Sequence, residues 1–136
     1  MKISYNWLKW YIPDAPDADK LADVFTYHLC EVESIEKKGD DTIFDIKILP
    51  DRAHDLLSHQ GIARELASLL NIKYVDPTPK YKIPHSASSG QAGLKIDIQS
   101  DKCRRYMGRI VRNVKVGLAP EWVIKHLESI GQRSIN

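Results

Sequence analysis

The sequence has little of what most catalytic and membrane signatures require. It holds two cysteines, Cys30 and Cys103, far apart and without a C-x-x-C pair. Neither a disulfide framework nor a cysteine-built zinc site is therefore indicated, and reduced, half-buried thiols of a cytoplasmic protein are expected. No apolar run approaches the roughly 20 residues that span a bilayer, so no membrane partner is expected. The opening MKISYNWLKWYIP lacks the apolar core of a secretory signal. There is no G-x-x-x-x-G-K-[ST] loop, no G-x-G-x-x-G, no G-x-S-x-G and no H-E-x-x-H. No nucleophile stands beside a base in a credible setting, so no catalytic residue is assigned. A binding or structural module is favoured over an enzyme.

What is present suits a packed fold. The 136 residues are 43% hydrophobic and 28% charged, enough for one ordinary domain or two very small ones. The net charge of +2 conceals an asymmetry. Residues 1–75 carry nine Lys/Arg and thirteen Asp/Glu, whereas residues 93–136 carry nine Lys/Arg and four Asp/Glu. An acidic half followed by a basic half suggests two units in different surroundings.

The boundary falls at VDPTPKYKIPHSASSGQAG, whose prolines favour extended backbone and whose Gly/Ser end favours flexibility. Residues 75–93 are read as a linker between an N-terminal domain, 1–74, and a second unit, 94–136. In the first, Ser4 can cap a short helix carrying Trp7, Leu8 and Tyr11 on one face, with Pro13 as the stop. Asp17 can cap a second helix with Leu21, Val24, Phe25 and His28/Leu29 at helical spacing. Val32 and Ile35, then Ile43, Phe44, Ile46 and Ile48, flank a KKGDD turn in which Gly39 supplies backbone freedom, which predicts a β-hairpin. A third helix is predicted from about Asp55 to Leu70, with Leu57, Ile62, Leu66, Leu69 and Leu70 on one side. In the second unit, Leu94, Ile96 and Ile98 alternate as in a half-buried strand. RRYMGRIVRNVKV reads as another, with Tyr106, Ile110, Val114 and Val116 on its apolar face. LAPEWVIKHLESIG then reads as a helix bounded by Pro120 and Gly131. The fold class is α+β: a small three-helix domain with a β-hairpin, then the leading strands and helix of an α/β domain. Two strands and a helix cannot cover their own sheet, so the second unit is expected to be incomplete.

Three groups of residues could carry chemistry. Asp51, His54, Asp55 and His59 fall within nine positions and invite a metal or acid–base reading. His54 and His59 are five apart, however, about 140° round a helix, rather than the i, i+4 of a two-histidine site. The start of a helix, with an Asp near its free N–H groups, is the simpler reading, and no metal ligand is assigned. Arg104, Arg105, Arg109, Arg112 and Lys115, with Lys102 beside them, could contact the phosphates of a nucleic acid, and Tyr106 could stack on a base. A solvated strand face is the competing reading. In WLKWY, Trp7 and Tyr11 should be core, and Trp10 lies on another face, where it could mark a contact with a partner or another domain, although core packing alone is the favoured reading.

Several segments resemble the N-terminal part of the beta chain of bacterial phenylalanyl-tRNA synthetases. MKISYNWLKWYI is similar to how those chains begin, and CEVESIE to a segment of their first domain. FDIKILPDRAHDLLSHQGIARELASLL, Phe44 to Leu70, is the most specific stretch: a strand, a Pro-Asn-Arg-like turn at Pro50, Asp51 and Arg52, and a helix with Gly-Ile-Ala-Arg-Glu at Gly61 to Glu65. Cys103 to Asn136 resembles the start of the next, editing-type domain. The resemblance departs in three places. KKGDD stands where an oligonucleotide-fold tRNA-binding barrel is usually inserted, Asp51 where Asn is frequent, and Leu29 where Gly is common. It implies a winged-helix-like first domain and a piece that ends early in the editing domain and has a scaffolding role. It also implies a catalytic alpha chain as partner in a heterotetramer, and tRNA as a ligand of the whole enzyme. No cofactor is expected for this segment; ATP and magnesium are expected for the complete synthetase.

Overall fold

The structure is a computed structural model in which residues 1–76, 96–108, 110–111 and 113–135 are described. The chain divides into two units, Met1–Thr78 with Leu118–Asn136, and Pro79–Gly117.

The first unit is α+β and begins with a strand too short to show alternation in the sequence, β1 (Lys2–Ser4). Ser4 then caps α1 (Tyr5–Leu8), its hydroxyl accepting from the Trp7 amide at 3.0 Å. Asp17 caps α2 (Ala18–Val24) by accepting from the Lys20 amide at 3.0 Å. Leu29 offers no easy helix stop. The chain instead widens into a π-turn over Phe25–Leu29, closed by the Cys30 amide donating to Phe25 O at 2.7 Å. Cys30 is extended, and the hairpin follows as β2 (Glu31–Lys38) and β3 (Asp41–Lys47). Gly39, at φ +63°, makes the turn. The sheet has the antiparallel order β1-β3-β2, so the expected hairpin is two-thirds of a three-stranded sheet. Its central strand buries Ile43, Phe44 and Ile46, while β2 lies at an edge and is mostly exposed.

The helix predicted from Asp55 to Leu70 is broken in two. After a turn of 3₁₀ helix at Pro50–Arg52 come α3 (Ala53–Leu56) and α4 (His59–Leu70). Ser58 is extended, and its hydroxyl accepts from the Gly61 amide at 2.9 Å, giving α4 its own N-cap. The break puts Leu56 in the core and leaves Leu57 exposed. From α4, His59, Ile62, Ala63, Leu66 and Ala67 are buried, the i, i+3, i+4 stripe of an amphipathic helix, while Leu69 is exposed. Asn71 ends α4 in the left-handed conformation, φ 52°, and the Ile72 amide returns to Ala67 O at 3.0 Å. These helices close over the sheet through Leu8, Leu21, Phe25, Phe44, Ile62 and Leu66.

The helix predicted after the linker is formed as α5 (Glu121–Ser129). Of linker residues 75–93, only Val75 and Asp76 are described; the Val75 amide donates to Tyr11 O at 2.7 Å. The two strands expected at 94–100 and 104–116 are not formed among the described residues. Ile96, Ile98, Tyr106, Ile110, Val114 and Val116 are all exposed. Alternation supplies an apolar face, but a strand needs a hydrogen-bonded neighbour and a layer to bury that face against.

Candidate functional site

The residues that raised the question of chemistry, Asp51 to His59, lie at the corner joining the sheet to α4. Arg52 organises that corner. Its guanidinium donates to the Asp55 carboxylate at 2.7 and 3.1 Å and pairs with Glu65 at 3.2 Å. The Arg52 hydrogen bond holds the Asp55 carboxyl below its ordinary range. The Pro-Asp-Arg turn is thereby tied to the Glu of the Gly-Ile-Ala-Arg-Glu helix. Gly61 permits this: a Cβ built there would lie 1.8 Å from Asp55 O. The two helices approach too closely for any side chain at that position.

The four candidate groups do not converge. Asp51 and His54 are exposed. His54 Nε2 lies 3.7 Å from Asp55 Oδ1, whose carboxylate is already held by Arg52. Among the described residues, no group of three His, Cys, Asp or Glu side chains could hold a metal ion.

His59 points the other way, into the fold. It is buried, and its Nε2 accepts a hydrogen bond from the Ser4 amide at 3.0 Å. Nε2 thus carries no proton in this arrangement, and the neutral ring bears its hydrogen on Nδ1. The imidazole stacks on Trp7, ring centres 4.1 Å apart and planes 22° apart. Burial, with a smaller contribution from His126, pushes its pKa down to about 4. Beneath the same Ser4, Asp41 accepts from the Ser4 hydroxyl at 2.5 Å and the Asn6 amide at 2.9 Å. His59 is thus a packing and capping residue that ties α4 to the β1–α1 junction. Nothing in the local sequence signals it, because its partners lie more than fifty positions away.

All three tryptophans meet at one seam with α5. Trp7 is half-buried rather than core, and His126 meets it edge-on at 4.6 Å. Trp10 packs on His126 at 4.4 Å and on Trp122 at 6.0 Å. The contact read at Trp10 is therefore made within the first unit. Lys38, beside the hairpin turn, donates to Glu128 O at 2.6 Å, a cation at the C-terminal end of α5. An open cleft of about 360 Å³ lies here, lined by Trp7, Trp10, Asp40, Asp41, Lys125 and His126 among others. A smaller one of about 180 Å³, beside Leu29, Cys30, Leu49 and Arg52, flanks the Pro-Asp-Arg turn, and burial pushes the Cys30 thiol pKa up. Cys30 and Cys103 are both free thiols.

Of the basic residues in the second unit, Arg104, Arg105 and Lys115 are exposed, and Arg109 and Arg112 lie outside the described residues. Tyr106, expected on an apolar face, is exposed as well. No strand is formed at the described positions to set these basic side chains in register. No helix of the described residues is long and apolar enough to cross a membrane.

No protein-family model matches the chain. The phenylalanine–tRNA ligase beta subunit of Rhodopirellula baltica is 32% identical over 136 residues, 100% of this chain and 20% of that protein. The subunit of the same name from Fusobacterium nucleatum is 41% identical over 99 residues, 71% of this chain and 12% of that protein. That of Syntrophus aciditrophicus is 34% identical over 125 residues, 91% of this chain and 14% of that protein. The chain spans a fifth or less of the length of these relatives. By sequence it belongs to the family of phenylalanine–tRNA ligase beta subunits, as a part of such a subunit.

Proposed function

We propose that this chain acts as a structural, non-catalytic part of the beta subunit in phenylalanyl-tRNA synthesis in the cytoplasm. The observation that carries this reading is how the polar groups of its most family-specific stretch are used. Arg52 binds Asp55 and Glu65, Ser58 caps α4, and His59 accepts from Ser4. Each stabilises the fold and none is presented to a substrate. ATP-dependent amino-acid activation, with the magnesium it uses, is assigned to a catalytic alpha chain, the partner in a heterotetramer. We read the short first helix, the α2 and α3–α4 helices and the hairpin as a winged-helix-like arrangement, used here as a scaffold. Its acidic balance disfavours phosphate contact. The purified chain with phenylalanine, ATP and tRNA is expected to give no aminoacyl-tRNA; turnover by the chain alone would overturn this reading.

A second reading rests on the exposure of Arg104, Arg105 and Lys115. With Arg109 and Arg112, these residues would form a tRNA-binding patch. The expected outcome is tRNA binding that weakens steeply with salt and is reduced by Arg104→Ala and Arg105→Ala. Absence of binding at low ionic strength would dismiss it.

A further inference from the structure

The chain contains three tryptophans, and all of them sit with two histidines where α5 meets α1. His59 lies on one side of Trp7 and His126 at its edge. The two helices that supply these histidines are held very unequally. Five residues of α4 are buried, including Ile62 and Leu66. None of α5 is buried, and Pro120 gives it no side-chain cap. By burial, α5 is the low-stability element of this unit and α4 part of its stable core.

We propose that this seam is a proton-operated latch: a proton taken up at His59 Nε2 displaces the Ser4 amide and releases α5 from α1 while the sheet and α4 remain folded. The proton has no other place on the ring, since Nδ1 already bears hydrogen when Nε2 accepts. Once charged, the imidazolium faces a backbone donor at 3.0 Å instead of offering it an acceptor. Water can reach the charged ring most readily by removing the layer that lacks buried residues of its own.

The groups facing the seam carry both signs of charge. From β3 comes the carboxylate of Asp41, which accepts from the Ser4 hydroxyl and the Asn6 amide. From the hairpin turn come Lys38, which donates to Glu128 O, and Asp40. From α5 come Lys125, which pairs with Glu121 at 3.0 Å, the exposed Glu128, and His126. His126 donates from Nδ1 to Trp122 O at 2.6 Å. The direction of the effect follows. In the closed state burial pushes the His59 pKa from the ordinary 6.5 down to about 4, and exposure of the ring on opening raises it back towards that ordinary value. Closure is therefore fully favoured above pH 6.5 and is lost as pH falls from 6.5 towards 4. Over that window the opening equilibrium rises on the order of a hundredfold.

Because every tryptophan reports on the seam, the intact chain can be titrated by fluorescence from pH 7.5 to 4.0, with far-UV circular dichroism in parallel. The expected result is a fluorescence transition inside the 6.5-to-4 window with helix and sheet signals retained. Amide exchange in Glu121–Ser129, corrected for intrinsic pH effects, should accelerate on the order of a hundredfold while α4 amides stay protected. His59→Gln keeps an acceptor for Ser4 but cannot titrate, and should abolish the transition. If that variant does not fold, imidazole ¹⁵N shifts of the unmodified chain must show His59 Nε2 protonating at the fluorescence midpoint. Simultaneous loss of fluorescence and ellipticity, unchanged α5 exchange, a transition that persists in His59→Gln, or a His59 midpoint that does not match would each overturn the latch.

Discussion

Two stretches of this chain alternate apolar and polar residues in much the same way, and they end in different environments. In β3, Phe44 and Ile46, two apart on one face, are both fully buried. Between residues 110 and 116, Val114 is 67% and Val116 94% exposed. Local propensity does not separate them, since both are rich in β-branched residues. The difference is partnership. β3 has β1 on one side and β2 on the other, with Phe25 packing on Phe44 at 5.3 Å between ring centres. The described residues of 104–116 have no strand beside them. Alternation states which face can be buried, and the rest of the fold decides whether it is.

The largest expected effect tests that contrast directly. Phe44→Ala removes a fully buried ring at the centre of the sheet and should cost about 3–5 kcal/mol, read as a shift in the denaturant midpoint of the first unit. Val116→Ala should change stability by less than about 0.5 kcal/mol, because its side chain is already in water. Equal effects at the two positions would mean that residues 110–116 find in solution a partner layer comparable to the one around β3.

Glycine gives the same contrast at smaller scale. Gly61→Ala would drive a Cβ to 1.8 Å from Asp55 O, so α3 and α4 must separate or the Ser58 cap must break. A cost of about 3 kcal/mol is expected, measured by chemical denaturation. A Cβ on Gly117 meets nothing within 4 Å, and Gly117→Ala should be close to neutral. If Gly61→Ala were neutral too, the close helix approach would not exist in solution.

How much of this was legible in the sequence depended on the range of the interaction responsible. Caps at Ser4 and Asp17 and the Gly39 turn are local, set by residues within four positions, and they fall where the sequence placed them; of the stripe expected on α4, Ile62 and Leu66 are buried, whereas Leu57 and Leu69 are exposed. The split between α3 and α4 was missed because Leu57 and Leu56 fit a helical stripe almost equally well. Ser58, which decides between them, looks unremarkable as one serine in a helical run. β1 was missed because three residues cannot display a period. The packing role of His59 is not legible locally because its partners, Ser4 and Trp7, come from the opposite end of the first unit. The five-residue spacing of His54 and His59 argues against a shared metal site, and the structure turns His54 to solvent and His59 to the core.

The smallest effect compares one kind of hydrogen bond in two settings. Ser58 accepts from the Gly61 amide at 2.9 Å, and Ser100 accepts from the Lys102 amide at 3.3 Å. Both are short-range serine turns with exposed side chains. Ser58, however, starts a helix of twelve residues whose stripe is buried, so its bond satisfies an amide that the helix leaves without an internal acceptor. The Lys102 amide lies in an exposed turn, where water can replace the serine with little penalty. Ser58→Ala should therefore cost about 1 kcal/mol, and Ser100→Ala should fall within about 0.5 kcal/mol of zero, both from denaturation midpoints. A loss at Ser100 as large as that at Ser58 would mean that the turn at 100–102 is coupled to packed structure, and the contrast between the two regions would narrow accordingly.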